Sequence, residues 1–208
     1  MIPFDMMATF FAASVLLALA PGPDNIFVLT QSALEGKRAG MIVTLGLCTG
    51  LIGHSMAVAL GVAAIFQTSE TAFSVLKFIG AGYLAYLAWG AFRASAETIQ
   101  SKSREKISPW KLYGRGVVMN ISNPKVVLFF LAFLPQFTDP SQGSISVQIL
   151  ILGGLFILAT MLVFFGVSFL AGELGQWLNQ SERARKMLNR GAGVVLLGLA
   201  LTLAVAGQ

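Results

Sequence analysis

Two charged side chains stand out because each directly follows a proline inside an otherwise apolar stretch. Asp24 follows Pro23, and Lys125 follows Pro124. A charge at the centre of a membrane helix costs about 2.5–3.5 kcal/mol, so such a residue usually has a partner or a function. An amino acid has one ammonium and one carboxylate group, which Asp24 and Lys125 could receive respectively. The pair therefore predicts a binding site for a small zwitterionic solute.

Neutral polar side chains accompany both charges. Asn25 adjoins Asp24, while Asn120 and Asn123 precede Lys125, and each amide can hydrogen-bond to a solute. Helices that restart after a break also direct N–H groups towards an anion. The alternative interpretation is structural, with the two charges paired permanently to lock the helices together.

Helix-breaking residues interrupt the same two stretches. Pro21, Gly22 and Pro23 are consecutive in one, and Pro124 lies in the other. A proline removes one N–H and disturbs the carbonyl one turn earlier. Lipid tolerates such backbone only where protein or a watery cavity covers it. Two breaks at matching positions therefore predict a shared polar cavity.

Composition argues against a water-soluble fold. The chain has 208 residues, of which 56% are hydrophobic and only 11% are charged, with a mean hydropathy of +0.77. A soluble domain is about 25% charged. The single cysteine excludes an intramolecular disulfide and a thiol-pair enzyme. We expect no cofactor and no metal site.

Six apolar stretches are long enough to cross a bilayer, which takes about 20 residues each. Backbone groups in lipid must hydrogen-bond within their own segment, so each stretch should be a helix. The sequence thus predicts an all-α integral membrane protein with one transmembrane domain over residues 1–208. The stretches cover approximately residues 4–30, 40–66, 72–92, 113–137, 145–172 and 191–206.

Lysine and arginine are concentrated in alternate connections. Of the 14 such residues, all but Lys77 and Lys125 lie in or beside the connections after the first, third and fifth stretches. The positive-inside rule places these connections in the cytosol and both termini outside it. The net charge of +5 then reflects topology and contact with anionic lipid, and we expect no nucleic-acid partner.

The two halves of the chain share an order of features. Gly-Ala-Gly occurs at residues 80–82 in the third stretch and at 191–193 in the sixth, and prolines break the first and fourth. Because three is odd, the second half must enter the membrane from the opposite face. We predict a 3+3 inverted repeat, a recurrent transporter design. Repeat one spans about residues 1–93, the basic cytosolic connection about 94–112, and repeat two about 113–208.

His54, the only histidine, lies deep in the second stretch. Because histidine titrates near physiological pH, it could relay protons in an antiport cycle. The commoner case is a histidine that is simply hydrogen-bonded within a helix bundle. Ser55 does not form a hydrolase pair with it, because neighbours on a helix point about 100° apart. The sequence does not predict an enzyme.

Two motifs carry a family resemblance. Residues 20–25 read Ala-Pro-Gly-Pro-Asp-Asn, and residues 120–125 read Asn-Ile-Ser-Asn-Pro-Lys. These motifs, and the organisation of essentially the whole chain, resemble the LysE/RhtB family of bacterial amino-acid exporters. The resemblance implies efflux of an amino acid or a derivative across the inner membrane, driven by the proton gradient, and is compatible with a homodimer. The family motif falls on Pro21, Gly22, Pro23, Asp24, Asn123, Pro124 and Lys125.

The predicted substrate is a neutral amino acid. Beyond Asp24, no acidic residue lies deep in a stretch to balance a second positive charge. The alternative function is a metal or inorganic-ion efflux permease. A metal site requires several Asp, Glu, His or Cys ligands. The apolar stretches contain only Asp24, His54 and Cys48 as candidates. The expected partners are the amino acid, protons and membrane lipid.

Overall fold

A computed structural model of the chain describes residues 2–68, 70–93 and 107–205. Within these ranges the chain forms helices joined by short connections, without any strand. The predicted all-α class is therefore confirmed. Residues 94–106 of the predicted basic connection lie outside the described part. Its last residues, from Pro109 onwards, belong to a helix instead of a connection.

The described part of the chain forms eight α-helices. They are α1 (Phe4–Leu19), α2 (Pro23–Glu35), α3 (Lys37–Thr68), α4 (Glu70–Arg93), α5 (Pro109–Ser122), α6 (Pro124–Leu128), α7 (Ile145–Gln180) and α8 (Glu182–Val205). A π-helical turn at Phe129–Phe133 and a 3-10 turn at Leu134–Phe137 continue α6 without a gap. A further 3-10 turn, Pro140–Gln142, precedes α7.

Several of these helices can cross a membrane by length and composition. Among the described residues, α3, α7 and α8 each qualify alone, and two bent helix pairs bring the number to five if each pair is one span. The bent pairs correspond to the predicted first and fourth spans. The predicted third span falls in α4, several of whose side chains lie outside the described part, and it stays a prediction.

Both bends coincide with the predicted breaks. The chain turns by 62° between α1 and α2, and by 50° between α5 and the segment that begins at Pro124. Pro23 and Pro124 each occupy the first position of the restarting helix, where a missing N–H costs nothing and the fixed φ suits a helix. The breaks therefore place Asp24 and Lys125 at equivalent second positions.

Helix α3 packs extensively on α5 and α7. It approaches α5 through glycines, so that a Cβ on Gly46 would lie 3.1 Å from the Cα of Gly116. On α7, the Ser146 hydroxyl donates to the Ala59 carbonyl at 2.8 Å. The contact with α5 brings the middle of α3 against the second break.

Helices α4 and α8 form a reciprocal antiparallel pair. A Cβ on Gly193, in the middle of α8, would lie 2.7 Å from the Phe92 ring at the end of α4. A Cβ on Gly80, in the middle of α4, would meet Ala132 of the π-helical turn first and would lie 3.2 Å from Leu203, near the end of α8. Gly193 thus provides the space for the Phe92 ring, and Gly80 lets α4 approach both Ala132 and α8. Both glycines belong to the Gly-Ala-Gly segments noted in the sequence.

The residues that flank the three basic connections lie at one end of the bundle. Glu35, which precedes the first, accepts a hydrogen bond at 3.3 Å from the backbone N–H of Ile107, which lies near the end of the second. Leu29 of α2, Ala171 of α7 and Ala184 of α8 form one buried apolar cluster beside the third. This arrangement is the one that alternating basic connections require.

Candidate functional site

The two helix breaks meet in the interior of the protein. The carboxylate Oδ2 of Asp24 accepts a hydrogen bond from Nδ2 of Asn123 at 2.8 Å. Asp24 is 3% exposed, and Asn123 and Lys125 are similarly buried. The predicted residues Asp24, Asn123 and Lys125 are therefore brought together, although almost a hundred residues separate them in the chain.

The Lys125 ammonium binds the backbone of the first break. Its Nζ donates to the carbonyls of Leu17 at 3.3 Å and Ala20 at 3.0 Å. In a continuous helix the Leu17 carbonyl would accept from residue 21, but Pro21 has no N–H. Lys125 thus occupies the backbone acceptors that the break leaves at the end of α1, where the helix dipole also favours a cation.

Asp24 and Lys125 form no ion pair with one another among the described residues; the carboxylate binds an amide and the ammonium binds carbonyls. Gly22 lies beside the ammonium, and a Cβ there would be 3.2 Å from Nζ. The permanent ion pair considered from the sequence is therefore absent from this arrangement. The two halves are instead joined by hydrogen bonds that cross from each break to the other.

Three oxygen atoms around the breaks have no hydrogen-bond partner. They are Oδ1 of Asp24, Oδ1 of Asn25 and Oδ1 of Asn120. The amide nitrogen of Asn25 is engaged, because it donates to the Ala18 carbonyl at 2.6 Å. Acceptors that are buried without a donor are costly, so each of these three oxygens retains the capacity to accept a hydrogen bond.

The N–H groups of the second break are not free for an anion. The side-chain oxygen of Asn123 accepts from the Lys125 N–H at 3.0 Å. The Asn123 carbonyl accepts from Val126 and Val127, both at 3.0 Å. The expectation that this restarting helix presents N–H groups to a bound anion is therefore not met, because Asn123 caps the helix with its own oxygens.

His54 reaches the second break from α3. Its Nε2 lies 3.3 Å from the carbonyl oxygen of Asn120, and its ring centre lies 5.7 Å from that of Phe130. A Cβ on Gly50, one turn earlier in α3, would lie 2.6 Å from Oδ1 of Asn120. The structure thus groups His54 with Asn120, as a hydrogen-bonded histidine.

Sequence reasoning missed the backbone acceptors Leu17 and Ala20, which carry no side-chain signal. The signal was in the prolines, since the carbonyl four residues before any helical proline loses its regular donor. That rule points to Leu17 before Pro21 and to Asn120 before Pro124. Both carbonyls prove to be bound by long polar side chains.

A metal site finds no support in the described residues. Within residues 2–68, 70–93 and 107–205, no group of three or more His, Cys, Asp or Glu side chains could hold a metal ion. Cys48 is a buried free thiol of α3. No specific observation therefore favours the alternative of metal efflux.

Comparison with known proteins places the chain among membrane exporters. It is 32% identical over 203 residues to the homoserine/homoserine lactone efflux protein of Salmonella typhimurium, covering 98% of each protein. It is 30% identical over 197 residues to an uncharacterized membrane protein of Vibrio cholerae, covering 95% of each. It is 28% identical over 204 residues to a membrane protein of Bacillus subtilis, covering 94% of this chain and 96% of that protein. No solved structure matches the chain.

Residues 15–207 match the sequence model of a family described as LysE type translocator. This match confirms the resemblance seen in the motifs around Asp24 and Lys125, and it extends over almost the whole chain. The relatives also bear out a multi-pass bacterial membrane location. The chain therefore belongs to the LysE type translocator family and is a transporter, not an enzyme.

Proposed function

We propose that the protein exports an amino acid or an amino-acid derivative from the cytosol across the inner membrane, by proton antiport with alternating access. The observation that carries this proposal is the meeting of the two breaks, where buried Asp24 bonds to the Asn123 side chain and buried Lys125 bonds to the carbonyls of the first break. Buried charges within spans usually mark substrate or ion pathways. The family membership and the named activity of the Salmonella relative support the same class of substrate.

The substrate ammonium binds Asp24 in this proposal. Oδ1 of Asp24 is buried without a donor, and Asn25 and Asn120 offer further acceptors nearby along their helices. The substrate carboxylate binds Lys125 once Nζ leaves the carbonyls of the first break. Because Asp24 is the one carboxylate at the breaks, a neutral amino acid fits better than a basic one.

Proton coupling follows from the same carboxylate. An empty, charged carboxylate is costly to carry through a bilayer. If Asp24 releases the substrate ammonium outside and returns protonated, one proton enters for each amino acid that leaves. His54 as a relay for that proton stays a prediction.

The six-span inverted repeat is part of this proposal, and the helix contacts support it. In the repeat, α7 corresponds to α3, and the span formed by α1 and α2 corresponds to the span that contains α5. The α3–α5 contact therefore corresponds to the contact of α7 with α1 and α2, and both contacts are extensive. The α3–α7 and α4–α8 contacts map onto themselves under that correspondence. Inverted repeats with broken helices place a site between the halves.

The test is efflux from proteoliposomes loaded with a panel of labelled amino acids, with and without an imposed proton gradient. We expect export of a neutral amino acid that the gradient accelerates. Export of no amino acid in the panel would contradict the proposal. Export that ignores the gradient would contradict proton antiport but leave the substrate class standing.

Two substitutions connect that activity to the site. Asp24→Asn and Lys125→Met should each lower export at least about tenfold, since each removes one charge that the zwitterion needs. The exposed Asp5→Asn and Lys111→Gln variants make the same changes in charge far from the breaks and should export normally. Wild-type export by both site variants, at equal protein amounts, would refute the assignment.

A further inference from the structure

At the second helix break, a backbone carbonyl is contacted by His54, a side chain of α3 that belongs to neither break. In a continuous helix, the Asn120 carbonyl would accept from the N–H of residue 124, and Pro124 has none. Instead, the Asn120 carbonyl accepts from the Asn123 N–H at 3.1 Å, which closes a tighter turn. This bond uses one of the two lone pairs of the carbonyl oxygen. Nε2 of His54 lies 3.3 Å away and fills the other.

The first break is held in the same way. There the Leu17 carbonyl has lost its donor to Pro21, and the Lys125 ammonium takes that place at 3.3 Å. Each break thus has one long polar side chain, contributed by another element, at the carbonyl four residues before its proline. Lys125 fills this place for the first half, and His54 fills it for the second.

The surroundings of His54 fix the ring in this orientation. One face of the ring lies near Phe130, with centres 5.7 Å apart at 36°. The backbone contact of Gly46 with Gly116 brings α3 close enough to α5 for the side chain to reach the break. Because a carbonyl can only accept, Nε2 must carry the hydrogen.

We propose that His54 is a positioning residue that holds the second break by hydrogen-bonding to the Asn120 carbonyl through Nε2. It thereby fixes the turn that ends in Asn123 and Lys125. This role needs a donor at one position in space, and it needs no proton to leave the ring. A side chain that donates from the same position but cannot relay protons should therefore replace the histidine in this role, whereas it could not replace a proton relay.

Three substitutions separate these roles. The amide nitrogen of His54→Gln sits about where Nε2 does, whereas that of His54→Asn corresponds to Nδ1. His54→Leu keeps bulk and removes every donor. We expect His54→Gln to export within about twofold of wild type. His54→Asn and His54→Leu should lose at least about tenfold, the rate effect of one hydrogen bond at a buried carbonyl.

The pH profile of export is the second readout. Glutamine cannot relay protons, so an active His54→Gln variant with the wild-type pH profile supports the positioning role. Inactive His54→Gln, or an altered pH profile in it, would overturn the proposal in favour of a relay. Wild-type export by both His54→Asn and His54→Leu would overturn it in favour of no role.

The export assay rests on the proposed function. A third measurement is therefore chosen that does not depend on export. The thermal unfolding midpoint of the detergent-solubilised protein should be unchanged in His54→Gln and lowered in His54→Asn. If the wild type exports no amino acid, the proposed function fails, whereas this comparison still tests the His54 contact. Equal midpoints for the Gln and Asn variants would contradict the bond through Nε2.

Discussion

Asn123 offers the sharpest test of how the two breaks are joined, because its side chain makes two separable bonds. Its oxygen accepts from the Lys125 N–H and caps α6, while its nitrogen donates to Oδ2 of Asp24. Asn123→Ser can keep the cap, since serine is an equally good N-cap residue. The same change removes the hydrogen bond from Asn123 to Asp24, which bridges the two breaks. Asn123→Ala removes both bonds.

The expected magnitudes follow from those two bonds. A hydrogen bond to a charged group contributes about 1.5–3 kcal/mol, and an N-cap contributes about 1 kcal/mol. We therefore expect Asn123→Ser to lower the free energy of unfolding by about 1.5–3 kcal/mol. Asn123→Ala should lower it by about 1 kcal/mol more.

The assay is equilibrium unfolding in mixed micelles titrated with SDS, with a double-mutant cycle that combines Asn123→Ala and Asp24→Ala. The coupling free energy should be at least about 1.5 kcal/mol if the bridge exists. Ser122→Ala is the matched control, because the exposed Ser122 hydroxyl bonds only to its own helix. We expect that variant within about 0.5 kcal/mol of wild type.

Two results would refute the reasoning. If Asn123→Ser unfolded at the wild-type free energy, the bridge to Asp24 would contribute nothing. A coupling free energy below about 0.5 kcal/mol would show that Asp24 and Asn123 act independently. Either result would leave the Lys125 bonds to the first break as the stabilising link between the two breaks.

Gly50→Ala should lower export at least about tenfold, since its Cβ would lie 2.6 Å from the Asn120 amide oxygen and force that side chain to shift. Gly53→Ala, whose Cβ meets nothing within 4 Å, is the control, and equal export by both variants would contradict the prediction. Gln148→Leu should lower the free energy of unfolding by about 1–3 kcal/mol in the SDS titration, because the buried amide makes three hydrogen bonds to residues 139–143. An unfolding free energy equal to that of wild type would show that this connection does not depend on Gln148.

The meeting of the two breaks at Asp24 and Lys125 could be predicted from the sequence because two unusual features coincide there. A charge directly after a proline is costly in an apolar stretch for two independent reasons, the ion and the broken backbone. Few arrangements accommodate both, and burial of Asp24 and Lys125 against the opposite break is one of them. The coincidence was therefore informative without any knowledge of the fold.

The partner of each charge could not be predicted in the same way. Opposite charges suggested a direct pair, but the ammonium binds the carbonyls of Leu17 and Ala20. A backbone carbonyl has no residue type, so a search among side chains does not find it. That the Leu17 carbonyl lacks a donor can be worked out from Pro21, whereas the reach of Lys125 to this carbonyl and to that of Ala20 depends on the 62° bend.

Helix ends beyond the apolar residues were also missed. The predicted sixth span begins at residue 191, yet α8 begins at Glu182. The reason is local, because the Ser181 hydroxyl accepts from the Ala184 N–H at 3.1 Å and caps the helix. The polar residues that follow include good helix formers. Hydropathy therefore predicts where the apolar part of a helix begins, whereas the capping residue indicates where the helix itself begins.

The hydrogen bonds of Lys125 bear on how an exporter could avoid cycling empty. When Nζ leaves the first break for a substrate carboxylate, the Leu17 and Ala20 carbonyls lose their donor. Each buried carbonyl left without a donor costs about 1–3 kcal/mol. A substrate carboxylate offsets that loss with a charge-assisted bond, whereas an empty site offers nothing in exchange. In the proposed cycle, the substrate carboxylate therefore releases Lys125 from the backbone for the outward step, whereas the empty protein returns with Lys125 on the Leu17 and Ala20 carbonyls and with Asp24 protonated.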